Sequence, residues 1–175
     1  MSESDVLRAF TDKLGLQVNL ARTGNSDRVE LARALLLTDF GARTVAPLVL
    51  SRWGLVEGAR RLRRCAPLKN AFDVVAAAAA IDSARDAAHL LVLQAREQGD
   101  PDADARASAT EVMNCIGDAC DGAASAARDR RDVGYTVHCA VHVANAITKA
   151  IKAGVPEEEL IDLATDALAN AMVIQ

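Results

Sequence analysis

Two histidines one helical turn apart, His138 and His142, are the residues in this 175-residue chain best spaced to do chemistry together. Positions i and i+4 share one face of a helix, and two imidazoles placed there can ligate a single metal ion. Cys139 is adjacent in sequence, but its side chain leaves the helix about 100° from His138 and about 60° from His142. A mononuclear centre made from His138, His142 and Cys139 would need further ligands from neighbouring segments. Cys115 is the first candidate, with Cys120 and His89 behind it. Such nitrogen and sulfur donors would suit a transition metal or a small cofactor such as haem. Against this reading, the chain has no CxxC pair, no HExxH and no Glu-x-x-His repeated on two helices. Asn145, Lys149 and Lys152 continue the histidine row, as a solvent-facing polar strip would.

The thiols read mainly as packing. Cys115 and Cys120 are five residues apart, so on a helix they point about 140° from one another and cannot share an ion without distortion. Both, with Cys139, suit the role of small core fillers. A catalytic thiol would need a cationic or histidine-rich setting, and His142 is the only nearby base in sequence.

Two charged clusters have their own chemistry to consider. Glu111, Asn114, Asp118 and Asp121 recur at helical spacing as an acidic row, which could hold Mg²⁺ only opposite a second acidic helix and otherwise reads as a solvated face. Arg60, Arg61, Arg63 and Arg64 form the densest positive cluster, with Arg52 and Lys69 nearby. It could contact phosphate or an acidic protein, but only Trp53 among the aromatics lies near it and no helix-turn-helix pattern frames it. Cations near a helix C-terminus also complement the helix dipole. Net charge is −4, which disfavours nucleic acid as a partner. No GxGxxG, P-loop, GxSxG or ordered triad is present.

The elements that must position these residues are helices. The sequence holds 36 alanines, 4 prolines and only five aromatic residues. Alanine is the best helix former, and small side chains let helix axes approach closely. Val133–Gly154 is the expected hub. Ala140, Ala144, Ile147, Ile151, Val137 and Val141 make one apolar face, and Cys139, Val143, Ala146 and Ala150 widen it until only the polar strip is left. A helix apolar over most of its circumference has to be enclosed by others.

Around the hub, Ser2 or Ser4 caps a first helix that Gly15 ends, and Ser26–Asp27 opens a second that Gly41 is expected to stop. Pro47 suits the first turn of a short helix to Trp53, and a basic helix runs from Leu55 to Cys65. Asn70–Gln98 is the longest helix, with a charged stripe of Asp82, Arg85, Asp86, His89, Arg96 and Glu97. Gly99–Asp102 breaks the chain before a helix reaching about Arg130, and Gly154–Pro156 precedes the last helix. That helix ends in Met172, Val173 and Ile174, which point in different directions and leave one side exposed unless another chain covers it.

The expectation is an all-α, single-domain helical bundle over residues 1–175. Short N-terminal helices (1–66) pack on four longer antiparallel helices (68–175). The N-terminus resembles no secretory signal, and the apolar stretch Phe72–Leu93 is interrupted by charges that would be costly in a membrane. Four cysteines without framework spacing suit a reducing cytoplasm. The function this pattern favours is a non-enzymatic protein–protein interaction or regulatory module, self-association included. A bundle holding a metal or small cofactor is the alternative, and an arginine-patch nucleic-acid binder is the weaker one.

Overall fold

The first helix forms where the sequence supplies a complete pair of caps. In the computed structural model, which describes residues 3–20, 23–129 and 133–174, α1 spans Asp5–Leu14. Ser4 Oγ accepts from the Leu7 N–H at 3.1 Å, and Gly15 closes the end at φ 68°. The alternative cap, Ser2, lies outside the described residues. Among the described residues there are seven helices and no strand. After α1 come α2 (Asp27–Arg52), α3 (Val56–Arg63), α4 (Ala71–Glu97), α5 (Ala103–Arg128), α6 (Val133–Lys152) and α7 (Glu157–Met172). Helix α5 ends at Arg128 with Asp129 extended, short of the expected end near Arg130, which lies outside the described residues.

The main departure from the sequence reading is at Gly41. It does not stop α2. Its φ is −56°, and the chain widens there into a π-helical segment, Gly41–Val45, before returning to α-helix at Ala46. The physical reason is proximity. A Cβ on residue 41 would lie 2.5 Å from Ile116 Cδ1 and 3.4 Å from Val143 Cγ2. The glycine lets α2 lie against α5 and α6, and its turn-forming freedom is not used. The wide turn also suits Pro47, which has no N–H and whose ring would collide with the carbonyl of residue 43 in a regular helix. The N-terminal third therefore contains one 26-residue helix where two short ones were expected. This helix is long and apolar enough to cross a membrane, but 67% of its apolar window is buried within the fold, as in a core helix.

Packing is organised around α6, as the periodicity requires. Cys139, Ala140, Val143, Ala144, Ala146, Ile147 and Ala150 have no exposed surface, while Val137, Val141 and Ile151 are half-buried at the edges. Helix α6 is enclosed by α5, α1 and α2. Helix α5 lies between α6 and α4, burying Val112, Met113, Ile116, Ala119, Cys120 and Ala123. Helix α3 bridges α2 and α4, and α7 lies chiefly on α2. Asn70, where the longest helix was expected to begin, caps α4, its side chain accepting from the Phe72 and Asp73 N–H groups.

The chain ends are joined by a buried ion pair. Arg33 and Glu30 are 0% and 2% exposed and 2.9 Å apart. The Arg33 guanidinium donates to the carbonyls of Thr23, Gly24, Ala171 and Ile174 as well as to Glu30, so every N–H it has is used. Glu30 in turn accepts from Ser4 Oγ at 2.6 Å and from the Val6 N–H at 2.8 Å. Two side chains on α2 thus hold the start of α1, the 23–24 turn and the end of α7. Removing one partner of a buried pair leaves the other uncompensated, at a cost of about 3–5 kcal/mol. Arg33→Leu should therefore lower the urea-unfolding free energy by about that much, and adding Glu30→Leu should recover part of the loss. If Arg33→Leu costs less than about 1 kcal/mol, the pair does not hold the termini.

Candidate functional site

The polar strip of α6 lies along the seam with α5, opposite the acidic row of that helix. The two helices run antiparallel, so equal steps along each keep the rows in register. Lys149 Nζ sits 2.5 Å from Glu111 Oε2, and two turns further on His142 Nδ1 sits 3.3 Å from Asp118 Oδ2. Beyond them Gly122 faces His138 and Cys139. The acidic row, read from sequence as a solvated face, is exposed but half engaged. The hydrogen bond and negative charge of Glu111 raise the pKa of Lys149.

Gly122 determines how close this seam is. A Cβ there would lie 3.0 Å from Cys139 Sγ, 3.1 Å from His138 Cδ2 and 3.3 Å from the Tyr135 carbonyl oxygen. At the far end the seam opens into a groove of about 380 Å³ lined by Asp121, Gly122, Ser125, Gly134, Tyr135 and His138.

Of the four candidate ligands, the structure brings two together. The His138 and His142 rings stack with centroids 4.1 Å apart and planes tilted 47°. Cys139 turns inward, its thiol donating to the carbonyls of Tyr135 (3.1 Å) and Ala119 (3.4 Å). Cys115 is half-buried, with Asp118, Lys149 and Glu111 acting on it electrostatically. Among the described residues, no group of three or more His, Cys, Asp or Glu side chains is placed to hold a metal ion. The thiols are also poor nucleophiles. Burial pushes Cys139 up to about 12, with a Thr38 hydrogen bond opposing, and burial with the neighbouring Cys139 pushes Cys120 up to about 12. Both stay protonated at neutral pH, the reverse of an activated thiolate.

The arginine cluster is solvated. Arg60, Arg61, Arg63 and Arg64 are all exposed. Arg60 pairs with Glu57 at 2.8 Å, and Arg63 approaches Ser51 Oγ at 3.4 Å. Arg61 and Glu57 border a cleft of about 160 Å³ between α3 and α4. Trp53 does not serve the cluster as a stacking platform. Its indole N–H donates to the Ala153 carbonyl at 3.0 Å, and the Arg106 guanidinium lies over its ring at 4.7 Å. Arg106 is held in turn by Asp100 at 2.8 Å. This Trp53–Arg106–Asp100 stack was not legible from spacing, since its members come from three segments.

His142 is a strip residue whose surroundings shift its titration. Burial lowers its pKa from the ordinary 6.5, His138 lowers it further, and Asp118 opposes both. Its Nδ1 makes no well-aligned hydrogen bond, despite the 3.3 Å approach of Asp118. A histidine depressed on folding binds protons more readily when unfolded. Its contribution to stability is full above pH 6.5 and declines as pH falls from 6.5 through the folded value. An NMR titration should place the His142 midpoint below 6.5, and Asp118→Asn should move it lower still. A midpoint at or above 6.5 would show that the ion pair with Asp118 outweighs burial.

No protein-family model matches the chain, and no similar characterised protein or solved structure is found.

Proposed function

We propose that this chain is a non-enzymatic helical interaction module that acts by presenting one helix face to another protein. The observation that carries this reading is the outward face of α4. Its inward residues Val74, Ala77, Ile81, Ala84, Ala88 and Val92 are covered by the fold. On the opposite side Phe72 is 84% exposed, Val75 62%, Leu90 59% and Leu93 43%. Isolated exposed apolar side chains are ordinary, but Phe72 with Val75 and Leu90 with Leu93 are i, i+3 pairs that form contiguous patches on one face. Lys149 and His142 of the α5–α6 seam lie against Glu111 and Asp118, and the buried thiols of Cys120 and Cys139 are held protonated. Both points favour a contact surface over a catalytic pocket. The reading includes a reducing, cytoplasmic setting, in which four free thiols persist.

A photo-reactive amino acid placed at Val75 tests it directly in the producing cell. Irradiation should give adducts of discrete mass from that position and none from Glu159, an exposed residue on α7. Absence of any adduct at 75 would remove the reading.

A further inference from the structure

We infer that the cleft between α3 and α4 binds a small monocarboxylic acid, its apolar tail inside and its carboxylate on Arg61 at the lip. The cleft has a volume of about 160 Å³. Its interior is aliphatic: Leu50 comes from the end of α2, Leu55 from the turn before α3, and Ala80, Ala84 and Ala87 from α4. A cavity of about 150 Å³ with an aliphatic lining holds a benzene ring, so this one takes a tail of about six carbons. The site lies on the α3 side of α4 and does not depend on the outward face offered to a partner.

Gly58 keeps this space open. It stands inside α3, where glycine weakens a helix relative to alanine. Gly41 and Gly122 are required by the close approach of neighbouring helices, and Gly58 is not. Its φ is not positive, and a Cβ there would sit 3.5 Å from Leu50 Cδ1 and 4.0 Å from Ala84 Cβ, both ordinary contacts. Packing therefore tolerates a methyl group at this position. A larger side chain would instead occupy the cleft, whose wall Gly58 forms.

Charge at the lip selects the ligand. Arg61 follows Gly58 by three residues and so shares its face of α3. Glu57 is the only carboxylate among the lining residues, and Arg60 neutralises it at 2.8 Å. Among the described residues the Arg61 guanidinium has no ion pair, and the exposed Arg63 and Arg64 beside it keep the potential at the lip positive. A guanidinium in this state takes a carboxylate through two parallel N–H bonds. The Ser83 hydroxyl on the opposite wall is a further donor. Both halves of the ligand are needed. Acetate has no tail to bury, and an uncharged alcohol gains nothing from Arg61.

Heptanoate, which has a tail of that length, is the probe. In ¹H–¹⁵N spectra of the purified chain it should shift the amides of Gly58, Ala84 and Ala87 with a Kd of about 1 mM. Heptanol should bind about tenfold more weakly, and acetate at the same concentrations should leave these amides in place. Arg61→Gln should weaken heptanoate about tenfold without changing heptanol. Arg61 is exposed, so this variant tests the site without touching the packing. Gly58→Leu should abolish binding of both probes. Gly58→Ala should raise Tm by about 2–4 °C, because the fold does not need the glycine. Equal binding of heptanoate and heptanol, undiminished binding by Gly58→Leu, or a Gly58→Ala variant that melts below the natural chain overturns the inference.

Discussion

The architecture depends on how closely three helix backbones approach one another. Gly41 on α2 leaves no room for a Cβ beside Ile116 of α5 and Val143 of α6, and Gly122 on α5 leaves little beside His138 and Cys139 of α6. Around these two points the contact surfaces are mostly alanine, valine and cysteine, so small side chains set the interaxial distance. Polar residues of the hub are displaced to its rim, where Lys149 and His142 meet Glu111 and Asp118. These two pairs tie the rims of α5 and α6 together.

The buried Arg33–Glu30 pair solves a separate problem. A bundle whose first and last segments lie on the same long helix needs something specific to close it, and apolar contact alone does not fix where a chain terminus lands. Four backbone carbonyls and one carboxylate around a single guanidinium set that position. The bonds are directional and leave no donor unmatched, so burial of the charge is compensated locally. The start of α1 and the end of α7 thus belong to the folded unit.

How legible this was from sequence depends on the range of the interaction. The caps at Ser4 and Asn70, the stop at Gly15 and the enclosure of Val143 and Ile147 all follow from local chemistry or helical period. Gly41 was misread because a glycine after an apolar run is an ordinary helix stop, and only the neighbours Ile116 and Val143 reveal its other use. Arg33 and Glu30 carry no local sign of burial, since nothing in the nearby sequence announces that distant carbonyls converge on them. The histidine and acidic rows were each visible, but their pairing depends on the register of two antiparallel helices. Val173 does stay exposed at the C-terminal end, as its direction required. The apolar ends of the outward face of α4 were hidden in an alanine-rich stretch whose charges drew attention to its middle.

The claim at the centre of this account is that the α2–α5–α6 contact is the closed, least yielding part of the molecule. Native-state amide hydrogen exchange measures that directly, residue by residue. The amides of Ile116, Ala119 and Ala123 on α5 and of Val143, Ala144 and Ile147 on α6 should exchange only through global unfolding, with free energies equal to that from denaturant titration. Exchange at these positions through local opening, several kcal/mol below the global value, would contradict it.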